Sequence, residues 1–176
     1  MVKKFDIPRL TRLAMLTALA LIAHYLESLL PPLMAGLPVK LGIANIFSLT
    51  AMLMWSPREA FAITVVRCLV GTLLIAGSPT SLMYSLTGGV LSCVLMSLLL
   101  PLCRREKISP AGLSIAGAFA FNAGQLTVGA LIVGKGMLIY FPLMSLLSLP
   151  TGIFVGFCAG LTAKALGKKV SKYWGK

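Results

Sequence analysis

Six apolar stretches follow one another along the chain, at about 10–30, 39–55, 60–77, 81–102, 111–134 and 138–163. A helix needs roughly 20 apolar residues to cross a hydrocarbon layer, so the pattern predicts six membrane helices in one compact all-α transmembrane domain spanning 1–176. The breaks between stretches have local causes. Pro31-Pro32 and Gly36-Leu37-Pro38 end the first, because proline lacks the amide that a continuing helix needs. Ser56-Pro57-Arg58-Glu59 makes the second break, with Pro57 placed to begin the next helix. Gly77-Ser78-Pro79, then Arg104-Arg105-Glu106-Lys107 with Ser109-Pro110, then Gly134-Lys135-Gly136 make the others. All are short, so consecutive helices must run antiparallel as neighbours.

Composition supports the pattern. The chain has 176 residues, 58% hydrophobic and 11% charged, with a mean hydropathy of +0.95. A soluble domain carries about 25% charged residues, so a water-soluble enzyme is excluded. The start, Lys3-Lys4 and then an apolar run from Leu13, imitates a signal peptide, and Ala18-Leu19-Ala20 imitates a cleavage site. The run continues to Leu30, which favours an uncleaved first span.

The formal charge is +12, and its distribution sets an orientation. Lys3, Lys4, Arg9, Arg12, Arg58, Arg104, Arg105, Lys107, Lys164, Lys168, Lys169, Lys172 and Lys176 fall on one side of the membrane, and only Lys40 and Lys135 on the other. This is 13 against 2, with Arg67 left inside the third helix. The positive-inside rule then puts both termini in the cytoplasm of a multi-pass cell-membrane protein, and assigns the basic excess to loops rather than to nucleic acid.

Small residues recur at every fourth position in three helices: Ser85, Gly89, Cys93 and Ser97; Gly112, Ala116, Ala120 and Gly124; Gly152, Gly156 and Gly160. Such rows let helix backbones approach closely in lipid, and intramolecular packing accounts for all three. The first helix has a shorter row, Ala14 and Ala18, available to another subunit. The cysteines, Cys68, Cys93, Cys103 and Cys158, form no CxxC pair and lie far in sequence from the only histidine, His24, so a metal site is not expected.

Polar groups at membrane depth are costly, and their positions carry the functional information. His24 and Glu27 lie three residues apart in the outer half of the first helix. Lys40 stands at the outer mouth of the second, with Asn45 little more than one turn deeper. Arg67 lies near the middle of the third helix, and Asn122 and Gln125 near the middle of the fifth. At 100° per residue the row Gly112 to Gly124 centres roughly opposite Asn122 and Gln125, while Ala14 and Ala18 point away from His24 and Glu27. The geometry is that of a bundle with a polar pocket open to the outside. Each group also has a plainer role: Glu27 and Lys40 solvated at the boundary, Arg67 snorkelling to headgroups, Asn122, Gln125 and His24 bonding neighbouring helices. Direct pairing of Arg67 with Glu27 is disfavoured, since their depths differ by about 10 Å at the helical rise.

No G-x-x-x-x-G-K-[ST] motif occurs, Asp6 is the only aspartate, and no Ser-His-Asp set can be assembled. Neither ATP hydrolysis nor magnesium-dependent diphosphate chemistry has its residues here. The chain is expected to be no enzyme and to carry no cofactor.

Pro38-Val39-Lys40-Leu41-Gly42-Ile43-Ala44-Asn45, Arg67, Ser85-Leu86-Thr87-Gly88-Gly89 and Asn122-Ala123-Gly124-Gln125 resemble the Gx transporter family, whose members are often labelled heptaprenyl diphosphate synthase component I. The likeness runs from about Leu10 to Leu161, and K-L-G-x-A-N is its most specific part. The chain departs from the family at Phe121, where histidine is common. The family is similar to the substrate-binding S components of energy-coupling factor transporters. That resemblance implies an outward-facing pocket, a first helix whose A-x-x-x-A face (Ala14, Ala18) docks a transmembrane coupling subunit, and energy from two cytoplasmic ATPases.

The residues and the resemblance together lead to a membrane subunit that binds a small anionic or carboxylate-bearing solute for uptake. The motive is a cationic surplus, Lys40 and Arg67 against Glu27. Lys40 would recruit the solute at the mouth, Asn45, Asn122 and Gln125 would orient it, and Arg67 would supply charge deeper in or hold helices together without touching it. Two rivals share the topology: a non-catalytic membrane subunit of an isoprenoid-quinone or electron-transfer pathway, and a stand-alone secondary carrier.

Overall fold

A computed structural model describes residues 7–29 and 42–173, apart from the side chains of 75–76 and 168–173. The described residues are helical throughout, with no strand among them. The helices are α1 (Ile7–Leu29), α2 (Ile43–Met54), α3 (Pro57–Gly71), α4 (Pro79–Arg104), α5 (Pro110–Ile132) and α6 (Phe141–Tyr173). A π-helical turn, Thr72–Ala76, extends α3, and a 3-10 turn, Lys135–Tyr140, leads into α6. Pro57, Pro79 and Pro110 each open a helix, where the missing amide has no intrahelical partner to lose. Ser109 completes the start of α5 by accepting a hydrogen bond from the Gly112 amide at 3.1 Å.

Four of the predicted spans are helices long and apolar enough to cross a membrane: Ile7–Leu29, Pro79–Arg104, Pro110–Ile132 and Lys135–Gly167. The second predicted span is a shorter helix than the apolar pattern suggested, and the third is helical over Pro57–Ala76 only by way of the π turn. α2 has 12 residues, because the chain enters it through Gly42 in a left-handed conformation, φ 76°. α3 has 15 residues before the π turn, and Arg58, Glu59 and Arg67 lower its hydropathy.

The small-residue rows of α4 and α6 pack inside the molecule. Gly89 lies against Thr64, and the Cys93 thiol lies 3.3 Å from the Thr64 hydroxyl, which donates to Ser48 at 3.0 Å. This joins α4, α3 and α2 through buried polar contacts. Gly152 and Gly156 bring α6 onto the backbone of α5 at Ile115 and Ala111. The α5 row packs in part as its wheel predicts: Gly124 lies against the α4 backbone, where an added Cβ would fall 2.9 Å from the Gly88 Cα, whereas Gly112 faces its own cap residue Ser109. Gly117, outside the row, adds a close contact to Met96, because α5 lies between α4 and α6 and packs on both flanks.

Two apolar clusters fill the end of the bundle nearer the chain termini. One joins Leu49, Met52, Met96, Leu100, Leu113 and Val155, and the other joins Leu16, Ala20, Ala51 and Ile63. At that end Arg9 pairs with Glu59 at 3.0 Å, Arg12 sits 4.9 Å over the Trp55 ring, and Arg104 donates to the Trp55 carbonyl at 3.4 Å. The outer surface is apolar over most of its height, with Leu73, Leu131 and Ile139 about four-fifths exposed. Water would not tolerate so continuous an apolar exterior. A bilayer would.

Candidate functional site

The first turn of α2 organises the site. A helix start leaves backbone amides without partners, and Gly42 has no side chain to cap them. Glu27 of α1 does this from across the bundle, its Oε1 accepting from the Ile43 amide at 3.0 Å. Two residues on, the Asn45 amide donates to the Gly42 carbonyl at 2.9 Å, and Asn45 Oδ1 accepts from Arg67 Nη2 at 3.1 Å. Glycine is required at 42 on two grounds. Its φ is positive, and an added Cβ would lie 3.3 Å from Asn45 Nδ2. This is a physical reason for the glycine in the Lys40–Asn45 motif. Gly42→Ala is expected to lower the melting temperature by about 2–8 °C in a thermal-shift assay, from the roughly 1–2 kcal/mol cost of a left-handed L-residue.

The carboxylate of Glu27 and the guanidinium of Arg67 are buried, at 7% and 6% residue exposure. Neither plainer role for them holds: Glu27 is not solvated at a boundary, and Arg67 does not reach outward to headgroups. They are not ion-paired with each other, as the depth difference anticipates. Arg67 Nε is buried without a hydrogen-bond partner among the described residues. A buried polar hydrogen left unpaired is costly and calls for an explanation.

Glu27, Asn45 and Arg67 line a cavity of about 80 Å³ together with His24, Asn122 and Gln125. All six helices contribute to its wall. α5 presents Ser114, Ala118, Phe121, Asn122 and Gln125, a stripe at helical spacing. Asn122 divides its role, since its Nδ2 donates to the Met144 carbonyl at 2.8 Å and so ties α5 to α6. Gln125 is 6% exposed and makes no hydrogen bond to a described residue. Phe121, where the resembling family commonly has histidine, closes the wall with an apolar ring packed on Gly88. Leu49, Met96, Leu147 and Val155 add apolar surface to the wall.

Lys40, placed at the mouth by sequence reasoning, lies outside the described residues. Ala14 and Ala18 are exposed on the far side of α1 from His24 and Glu27, among Met15, Leu19 and Ile22. Sequence reasoning missed the hydroxyls of Ser92, Ser114 and Thr151, and had Ser85 only as a packing residue. A signal for two of them existed. Ser114 precedes Gln125 by 11 residues, three helical turns, and Ser92 follows Ser85 by seven, two turns.

Residues 16–162 match the family model described as heptaprenyl diphosphate synthase component I. No curated protein and no solved structure matches the chain.

Proposed function

The chain belongs to the heptaprenyl diphosphate synthase component I family, and on that premise we propose that it is the solute-binding membrane subunit of an ATP-driven uptake system for a small carboxylate-bearing solute. The observation that carries this reading is Arg67: a buried cation on a cavity wall, held by Asn45 through one nitrogen and with Nε unpartnered among the described residues. A carboxylate satisfies such a group by charge-assisted hydrogen bonds. Gln125, Ser92 and Ser114, buried and without partners among the described residues, offer further hydrogen bonds to orient the solute.

Six membrane crossings with both termini in the cytoplasm complete the reading. The 13-to-2 bias of lysine and arginine supports that orientation. The charged groups of the cavity belong to the helix ends opposite the basic ones, so the site would open to the outside. Capture and release then need two states of different affinity, which a coupling subunit driven by two cytoplasmic ATPases would alternate. The exposed Ala14 and Ala18 face is where that coupling subunit would dock. Ala18→Trp is therefore expected to leave the melting temperature and solute binding of the isolated chain unchanged. Co-purification of the coupling subunit should fall at least tenfold, a loss of about 1.4 kcal/mol. Equal recovery of the partner from both proteins would remove the docking face.

The family description itself supports a second reading, a non-catalytic membrane subunit in prenyl diphosphate or quinone synthesis. Native mass spectrometry of the gently purified protein separates the two. A bound small carboxylate and transporter ATPases are expected; a prenyl-transfer or redox protein, with the cavity empty of solute, would favour the second reading.

A further inference from the structure

The geometry points to a zwitterion: the solute carries an ammonium group facing Glu27 as well as a carboxylate facing Arg67. This deepens the uptake reading and rests on it. Arg67 and Glu27 line one cavity, are more than nine-tenths buried, and are not paired with each other. Each is fixed to a different point of the first α2 turn, Glu27 to the Ile43 amide and Arg67 to the Asn45 side chain. The turn therefore holds the two opposite charges apart.

Both charges also retain unused bonding capacity. Arg67 Nε has no partner among the described residues, and the second carboxylate oxygen of Glu27 makes no hydrogen bond to one. Two buried, separated charges of opposite sign, one of them with a buried nitrogen that no described residue pairs, form a costly arrangement without a ligand. A simple anion would relieve only Arg67 and would bring a second negative charge into the small space that Glu27 faces. Like-charge juxtaposition of this kind rejects a competitor. A molecule with both charges satisfies both ends and enters with no net charge. The cavity of about 80 Å³ restricts it to a compact one, and the apolar walls at Leu49, Met96 and Val155 leave a few carbons between or beside the charges. Small amino acids are the chemical class that fits.

Isothermal titration calorimetry on the purified chain in detergent tests this with matched pairs. Glycine, alanine, β-alanine and 4-aminobutyrate vary the charge separation; acetate, propionate, lactate and butyrate lack the ammonium, and methylamine, ethylamine and propylamine lack the carboxylate. At least one amino acid is expected to bind tenfold or more tighter than both its deaminated and its decarboxylated counterparts. Glu27→Gln keeps an oxygen to cap Ile43 but removes the charge. It should erase that preference while carboxylates still bind. A deaminated acid that binds as well as its amino acid, or a preference that survives in Glu27→Gln, would overturn the zwitterion and leave the carboxylate reading standing. Absence of binding by every compound would overturn both, and so would carboxylate affinity unaltered in Arg67→Met.

Discussion

Arg67→Met is expected to abolish solute capture while leaving the protein at least as heat-stable as the parent. The two effects have different physical origins. Truncating one partner of a buried, hydrogen-bonded charge pair costs about 2–5 kcal/mol, which is roughly 30-fold to several-thousand-fold in affinity. Stability responds in the opposite sense. An arginine at the centre of a membrane helix carries an insertion cost of about 2.5–3.5 kcal/mol, and replacing buried ionic groups by apolar ones of similar volume is often neutral or stabilising. The counter-cost is the Asn45 carbonyl left without its donor, about 1–3 kcal/mol. Arg67→Lys sharpens the test. A single ammonium serves as a point charge and cannot match the planar fork that reaches Asn45 and solute together, so affinity about tenfold below the parent is expected. Calorimetry and melting curves on the three proteins check both halves. If Arg67→Met melts well below the parent and binds solute within threefold of it, Arg67 is a helix tie, and the capture role loses its main support.

The polar half of this site was legible in the sequence because burying such groups in a membrane is expensive. Glu27, Asn45, Arg67, Asn122 and Gln125 stand out on apolar helices, and the structure gathers all five around one cavity. The hydroxyls were only weakly legible, and Thr50, Ser97 and Thr127 show why. Each donates to the carbonyl four residues earlier, at 2.7, 2.6 and 2.8 Å, and so satisfies itself inside a helix at little cost. A serine in an apolar run therefore carries little information by itself, and only helical spacing from Gln125 and Ser85 marks Ser114 and Ser92. The start of α2 was hidden for a tertiary reason, since the carboxylate that caps it comes from another helix 16 positions away. The divided role of Asn122 was hidden likewise: helical angle gives a side chain its direction, not the Met144 carbonyl that meets it.

Gly156→Ala is the substitution expected to damage the fold most per atom added. A Cβ at 156 would lie 2.5 Å from the Ala111 Cα and 2.7 Å from the Pro110 carbonyl oxygen. These are backbone atoms, and a rotamer change cannot relieve them; α5 and α6 must separate. In lipid no hydrophobic force restores the contact, because the tails are as apolar as the helix surfaces, and close packing itself supplies the association. Separation would also strain the Asn122 bond to Met144 and draw Ser114 back from the cavity wall. Overpacking of this kind costs about 1–3 kcal/mol, which for a chain of this length is a fall of roughly 2–12 °C in melting temperature. Gly160→Ala is the matched control: it stands one turn further along the same row, where a Cβ would rest 3.4 Å from the Pro110 ring. It should shift the melting temperature by about 2 °C or less, since surface-like additions stay near ±0.5 kcal/mol. Equal shifts for the two variants would show that α6 is not held at 156 by backbone contact, and the wall it gives the cavity through Thr151 and Val155 would need another support.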